Sequence, residues 1–359
     1  MTDEALAVAL LGWYRERARD LPWRRTSDPY AIWVSEVMLQ QTRVDTVIPY
    51  YERFMARWPD VADLAAAELD HVLEAWSGLG YYRRARQLHQ AATEVVDRHG
   101  GELPHTAEEL VGLTGVGRYT AGAIASIAYG QATPLVDGNV IRVLSRLFGF
   151  DEDMRTAKGQ RRVWERAGQL VVDDAPGDFN QALMELGATV CRPKRPRCDA
   201  CPLADACVAR RQERTAELPV LSKKKPPTAH SLVAAVVKDR KGRVLLAQRV
   251  RDGLFGGLWE PPMVAGEELA RVRKIMGEHG ISARRRLTVV GRVRHVLSHR
   301  RLTIEVAAGL ADRRWTLPRD PPAPYDQLAW RSADEVALST LARKVLALAS
   351  EGSRQEASC

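Results

Sequence analysis

Hydrophobic positions along the first half of the chain recur at helical spacing almost without interruption. Leu6, Leu10, Trp13 and Tyr14 fall three and four residues apart, as one buried helix face requires. Asp28-Pro29 supplies a capping carboxylate and a first-turn proline, and predicts a helix running through Trp33, Val37 and Thr42. Further helices are expected over Ala62–Trp76, Arg83–His99, Arg118–Tyr129, Gly138–Phe148, Gly159–Val172 and Asp178–Val190. The texture then changes. Leu218-Pro-Val-Leu-Ser-Lys-Lys-Lys-Pro-Pro-Thr228 has three prolines and three consecutive lysines, which reads as a linker. Beyond it come strand patterns at Leu232–Lys238 and Arg243–Arg249, joined as a hairpin through Asp239-Arg-Lys-Gly242, then at Leu287–Val296 and Arg301–Ala307. Helices are expected over Glu267–His279 and Leu338–Ala349. The pattern predicts a multidomain chain: an all-α domain over residues 1–213, a linker over 214–229, an α+β domain over 230–350 and a tail over 351–359.

Composition narrows the class. The 359 residues are 45% hydrophobic and 27% charged, and no uncharged apolar run reaches the ~18 residues of a membrane span. The start Met1-Thr-Asp-Glu-Ala-Leu has no basic region followed by an apolar one, so no secretory leader is expected and a cytoplasmic, nucleoid-associated location is. A net charge of +8 suits a polyanionic partner.

Four of the five cysteines, Cys191, Cys198, Cys201 and Cys207, follow the spacing C-x6-C-x2-C-x5-C. Four thiolates so close in sequence can hold either a cubane iron–sulfur cluster or tetrahedral zinc. Structural zinc usually shows two C-x2-C knuckles, and only one such pair is present, so the spacing favours [4Fe-4S] over residues 191–207. Arg192, Lys194, Arg195, Arg197, Arg210 and Arg211 edge this stretch and could meet a phosphate backbone. Upstream, Leu113-Thr-Gly115-Val-Gly117 lies between two helices, where a glycine turn beside a helix N-terminus offers backbone N–H groups to a phosphate.

The glycine hairpin, the cysteine spacing and the aspartate of Val136-Asp137-Gly-Asn-Val140 together resemble the helix-hairpin-helix DNA glycosylases. Ser35-Glu36-Val-Met-Leu-Gln-Gln-Thr42 resembles the adenine DNA glycosylase (MutY) family within them. Trp76-Ser-Gly-Leu-Gly-Tyr-Tyr82 and Asn180-Gln-Ala-Leu-Met-Glu-Leu-Gly187 support the same resemblance, which covers nearly the whole chain.

That resemblance implies a base-excision-repair enzyme with a [4Fe-4S] cluster. Its expected partner is double-stranded DNA carrying adenine opposite 8-oxoguanine or guanine, and the enzyme is expected to be a monomer. Glu36 sits among Val34, Val37, Met38 and Leu39, neighbours that strip water from a carboxyl and raise its pKa toward that of a general acid. By resemblance Glu36 protonates the adenine at N7, and Asp137, which also reads as a helix N-cap, stabilises the sugar cation. Related enzymes that also nick the strand have a lysine where Tyr119 stands, so a monofunctional glycosylase is expected. The alternative is an endonuclease III-like pyrimidine glycosylase and lyase.

Trp23, Arg24, Leu39 and Glu185 match the adenine pocket of the family, Glu185 as an acceptor for the exocyclic amine; Gln41, Leu79 and Tyr81 match its wedge at the opposing base; Thr42 is expected to make a phosphate or backbone contact. The second domain resembles a Nudix fold. Its catalytic frame R-E-U-x-E-E-x-G-U aligns with Arg273-Lys-Ile-Met-Gly-Glu-His-Gly-Ile281, where only Glu278 of three glutamates survives, so binding rather than hydrolysis is expected. By resemblance Leu297-Ser298-His299 reads 8-oxoguanine, with leucine in place of the family's phenylalanine. The seven arginines at 284, 285, 286, 292, 294, 300 and 301 are expected to contact phosphate.

Overall fold

The structure, a computed structural model, describes residues 1–266, 287–311, 321 and 323–356, the last five by backbone alone. The expected helix Glu267–His279, the degenerate Nudix frame, Arg284, Arg285, Arg286 and Cys359 lie outside the described residues. Contacts divide the chain into two units, Met1–Ala66 with Gln87–Lys223, and Ala67–Arg86 with Lys224–Cys359.

The first unit is helical among the described residues. Its helices are α1 (Asp3–Arg17), α2 (Pro29–Leu39), α3 (Val44–Arg57) and α4 (Val61–Ala66). α5 (Leu69–Ala75) belongs to the second unit, and α6 (Arg83–His99) crosses the division. α7 (Ala107–Leu110), α8 (Arg118–Tyr129), α9 (Gly138–Phe148), α10 (Ala157–Leu170), α11 (Pro176–Thr189) and α12 (Val208–Arg211) complete the first unit.

Capping decides where several of these begin. The Asp28 carboxylate accepts from the Tyr30 and Ala31 N–H groups at 3.0 and 3.3 Å, and Pro29 fills the first helical position. Two of the four orphan donors at the start of α2 are thereby satisfied. α2 is buried from Tyr30 to Met38, so it runs through the interior rather than along a face. α11 packs on α1, α8 and α9, and its inner face joins Leu144, Leu147 and Phe179 in one core.

The structure corrects the expected elements in several places. α2 stops at Leu39, not Thr42, because Gln41 has φ 57° and cannot continue a right-handed helix. The single helix expected over Ala62–Trp76 is two, α4 and α5. α3 has no counterpart among the expected helices, although Val47, Tyr51 and Phe54 are spaced as a buried stripe; it has Pro49 inside it. The start of the expected linker is docked: Leu218 is buried, its carbonyl accepts from Arg146 Nε at 2.9 Å, and the Val220 carbonyl accepts from the Met154 N–H.

The second unit is built on a seven-stranded mixed sheet: β1 (Thr228–Lys238), β2 (Val244–Arg249), β3 (Trp259–Glu260), β4 (Met263–Ala265), β5 (Thr288–Val296), β6 (Arg300–Leu310) and β7 (Tyr325–Arg331). The path is β3-β2-β1-β6-β5; β4 pairs with β1, and β7 with β2. β1 and β6 run parallel from Thr228↔Arg300 to Lys238↔Leu310, and the remaining pairs are antiparallel. The helix α13 (Thr340–Glu356) lays Leu341, Val345 and Ala349 on one face of the sheet. The short strands β3 and β4 carry too few residues for alternation to show in sequence.

Ala67–Arg86 packs with this unit rather than with the helices among which its sequence pattern falls. Ser77 Oγ and Tyr82 OH both donate to the Leu338 carbonyl, at 3.0 and 3.2 Å, and Arg86 Nη1 donates to the Gly256 carbonyl at 2.6 Å.

Replacing Asp28 by alanine removes both acceptors at the start of the helix that carries Glu36. The expected loss is about 1 kcal/mol, read as a lower urea midpoint with an unchanged slope.

Candidate active site

One cavity of about 650 Å³ opens in the helical unit, within the size range of ligand clefts. The structure brings together in its wall Trp23, Arg24, Glu36, Leu39, Gln41 and Thr42. From the far side of the sequence it adds Gly115, Gly117, Tyr119, Asp137 and Glu185. Eleven of the expected site residues thus share one space, delivered by the 3-10 turn Pro22–Arg24, α2 and the residues just after it, the hairpin before α8 and the first turn of α8, the N-cap of α9 and the face of α11.

Glu36 is 5% exposed, and one of its oxygens, Oε2, accepts a 2.5 Å hydrogen bond from the Tyr119 hydroxyl. Burial pushes its pKa up to about 7. The Tyr119 bond and the charge of Arg24 pull downward, while Asp137 pushes upward. The carboxyl can therefore hold or release its proton near neutrality. Tyr119 also reaches Met184 Sδ at 3.4 Å, and burial beside the two carboxylates pushes the phenol well above its ordinary range.

Asp137 caps α9. Oδ1 accepts from the Asn139 and Val140 N–H groups, both at 2.8 Å, and Oδ2 accepts from Asn139 Nδ2 at 2.7 Å. These bonds and Arg142 favour the charged form, but burial outweighs them and the net shift is upward. The N-cap expected at Asp137 is present, and the site's desolvation is the larger influence on its carboxyl. Asn139 and Arg142 are additions to the expected set: Arg142 reaches Asn139 Oδ1 one turn back on α9, and the Gly187 carbonyl only through the packing of α9 on α11.

Glu185, expected as an acceptor for the base, is already engaged. Arg19 grips it with Nε at 2.7 Å and Nη2 at 2.9 Å, and Arg24 Nη2 donates to Oε2 at 2.9 Å. Its side chain is wholly buried, and the two arginines hold its pKa below the usual glutamate range despite that burial. Arg19 has no sequence signature; it stands 166 positions away and meets Glu185 only in the fold. Trp23 packs edge-on against Tyr51 at 5.4 Å.

The hairpin has two different glycines. Gly115 has φ 76°, and a Cβ there would meet Gln87 Cβ at 2.6 Å, so turn and packing both demand glycine. Gly117 is the N-cap of α8, with ordinary φ −93° and no atom within 4 Å of a Cβ built on it. Glu94 braces the turn, accepting from the Thr114 N–H at 2.9 Å and its hydroxyl at 2.5 Å.

The four cysteines Cys191, Cys198, Cys201 and Cys207 line one small cavity in the same unit, and all are free thiols. Arg146, 3% exposed, donates to Cys191 Sγ at 3.4 Å and to the Arg192 and Pro193 carbonyls, and its own carbonyl faces Cys207 Sγ. Burial pushes the Cys201 thiol up to about 11, with the other three cysteines adding to the shift. A set of four sulfurs around one space, backed by a cation, fits a group that binds thiolates. Among the described residues no three ligating side chains stand at the spacing of a single bare ion. Of the surrounding basic residues, Arg210 pairs with Asp199 and Asp205, whereas Arg192, Lys194 and Arg195 are exposed.

In the second unit Leu79 is buried and Tyr81 is 46% exposed, with its hydroxyl 3.1 Å from Ser298 Oγ. Leu297, Ser298 and His299 form the tight turn between β5 and β6, closed by the Leu297 N–H to the Arg300 carbonyl. Ser298 and His299 are exposed, while Leu297 is half-buried against the sheet core. Arg292 pairs with Glu305 at 3.2 Å; Arg294 and Arg301 are exposed.

Residues 34–169 match the family model for the HhH-GPD superfamily of base excision DNA repair proteins, and residues 233–348 match that of the NUDIX domain. The chain is 39% identical to the adenine DNA glycosylase of Homo sapiens over 95% of this chain and 73% of that protein. It is likewise 39% identical to the Mus musculus adenine DNA glycosylase, over 94% of this chain and 76% of that one. The chain belongs to the adenine DNA glycosylase family. It is a base-excision-repair DNA glycosylase, an enzyme that hydrolyses N-glycosyl bonds. The solved structure of a thermostable thymine-DNA glycosylase is similar to 58% of the glycosylase chain, covering 97% of its own, with 29% identity and a TM-score of 0.54. An endonuclease III–DNA complex shares the fold at 22% identity and a TM-score of 0.50.

Glu185→Ala in this glycosylase would leave Arg19 and Arg24 facing each other without a counter-charge. The expected loss of stability is on the order of 2–3 kcal/mol, moderated because Arg19 is 38% exposed. Thermal unfolding of the purified protein checks it.

Proposed function

We propose that the chain removes adenine paired with 8-oxoguanine or guanine, after flipping the nucleotide from the duplex, and leaves the strand intact. The observation that carries this reading is the Tyr119–Glu36 hydrogen bond in a cavity that raises Glu36 to about 7. Tyr119 occupies Oε2 and leaves Oε1 to carry the proton. Glu36 gives that proton to N7 of the adenine, the C1′–N9 bond breaks, and its electron pair leaves with the base. The sugar cation faces the Asp137 carboxylate, whose charge is supported by the α9 N-terminus. Water then adds at C1′ and returns a proton to Glu36.

The surrounding residues divide the remaining work. Trp23 and Leu39 enclose the base, and the Arg19–Glu185–Arg24 group orients it. The Gly115–Gly117 hairpin receives a phosphate, with Thr42 as a further backbone contact. Tyr81, Leu79 and Gln41 fill the duplex opposite the flipped nucleotide, and Ser298 and His299 read the oxidised base. Cys191, Cys198, Cys201 and Cys207 would hold a [4Fe-4S] cluster, which when bound fastens a loop edged with arginines. Tyr119 has no amine with which to form a Schiff base, which supports hydrolysis without strand cleavage.

The decisive experiment is single-turnover adenine release from a duplex carrying adenine opposite 8-oxoguanine, with strands examined before and after alkali. Wild type is expected to release adenine and to show cut strands only after alkali; Glu36→Gln is expected to release none. Cutting without alkali would favour the endonuclease III-like alternative.

The pH profile tests the acid. Because the protonated carboxyl is the active form, the rate falls about ten-fold per pH unit above the Glu36 pKa of about 7. The Tyr119 hydrogen bond lowers that pKa, so Tyr119→Phe is expected to move the falling limb to higher pH.

A further inference from the structure

The turn from Ser77 to Tyr82 follows α5 and carries the proposed opposite-base wedge. Gly78, Gly80 and Tyr81 all have positive φ, at 109°, 72° and 49°. Two are glycines, which adopt such angles freely; a tyrosine stays there only where its surroundings over-determine it. The Tyr81 ring is nevertheless 46% exposed, so the restraint acts on its backbone.

Arg84, in the first turn of α6, supplies it. Its Nη2 donates to the Leu79 and Gly80 carbonyls at 3.4 and 3.1 Å, and its Nε to the Tyr81 carbonyl at 3.4 Å. Its backbone N–H bonds the same Tyr81 carbonyl at 2.9 Å. The guanidinium also lies 5.3 Å from the centre of the Trp76 ring and 5.5 Å from that of Tyr81. Trp76 Nε1 adds a bond to the Gly80 carbonyl at 3.2 Å. One planar, five-donor head therefore grips three successive carbonyls and lies against the ring it presents, which a lysine ammonium cannot reproduce. Arg84 is 7% exposed, and burial pushes its pKa down to about 10.

We infer that Arg84 is a positioning residue for mispair recognition: it holds the Leu79–Tyr81 turn in the conformation that presents the Tyr81 ring. The inference rests on the reading of Tyr81 as the wedge. An ordered wedge spares the complex the entropy of arranging that turn on binding. Leu79 is itself buried, so Arg84 acts on affinity chiefly through the exposed Tyr81.

The test is a double-mutant cycle on the full-length protein. The probe is a duplex carrying a non-hydrolysable 2′-fluoro-2′-deoxyadenosine opposite 8-oxoguanine. Tyr81→Ala and Arg84→Met are each expected to weaken binding roughly ten-fold, the scale of one lost base–aromatic stack. The double variant is expected to bind no worse than Tyr81→Ala. Arg84→Lys, which keeps charge and bulk should Arg84→Met fail to fold, is expected to weaken binding only where Tyr81 is present. Additive losses would overturn the inference, as would unchanged binding by both Arg84 variants beside a weakened Tyr81→Ala. If Tyr81→Ala itself binds as wild type does, the wedge reading fails, and this inference with it.

Discussion

The enclosure of α2 is the constraint on which the rest of the helical unit depends. A surface helix needs one apolar stripe; this one is wrapped from Tyr30 to Met38, and Glu36 sits within the wrapped stretch. A carboxyl placed there loses its hydration whatever its neighbours are, and its proton affinity rises. The fold must then supply a partner for the polar group it has buried, and it does so with a single phenol, Tyr119, from α8. Packing and acid strength are thus the same fact seen twice.

Asp137 shows the opposite arrangement with the same residue chemistry. Three donors from the first turn of α9 surround its two oxygens, where Glu36 has one. Both pKa values move upward, yet the two carboxyls differ in what the fold offers their charged forms. That asymmetry is what the proposed division of labour between a proton donor and a negative charge asks for.

Much of this was legible in the chain. Helical periodicity identified α6, α8 and α9, and the cysteine spacing and glycine hairpin pointed to groups that the structure gathers into two cavities of one unit. What could not be read was long-range pairing. Arg19 is an unremarked arginine until Glu185 arrives on α11, and Arg142 gains meaning only where α9 and α11 touch. α3 combines a buried stripe of Val47, Tyr51 and Phe54 with an internal proline, two local signals that pull in opposite directions. The allegiance of Ala67–Arg86 to the second unit was equally invisible, since its bonds end on the Leu338 and Gly256 carbonyls, far along the chain.

The two hairpin glycines differ in who requires them. At position 115 the protein itself does, through backbone angle and the flank of Gln87. At position 117 nothing among the described residues lies within 4 Å of an added methyl group, and the angles are ordinary. A residue of that kind is answerable only to what approaches from outside. Folding experiments are silent about it, and only a molecule brought to the hairpin can report on it.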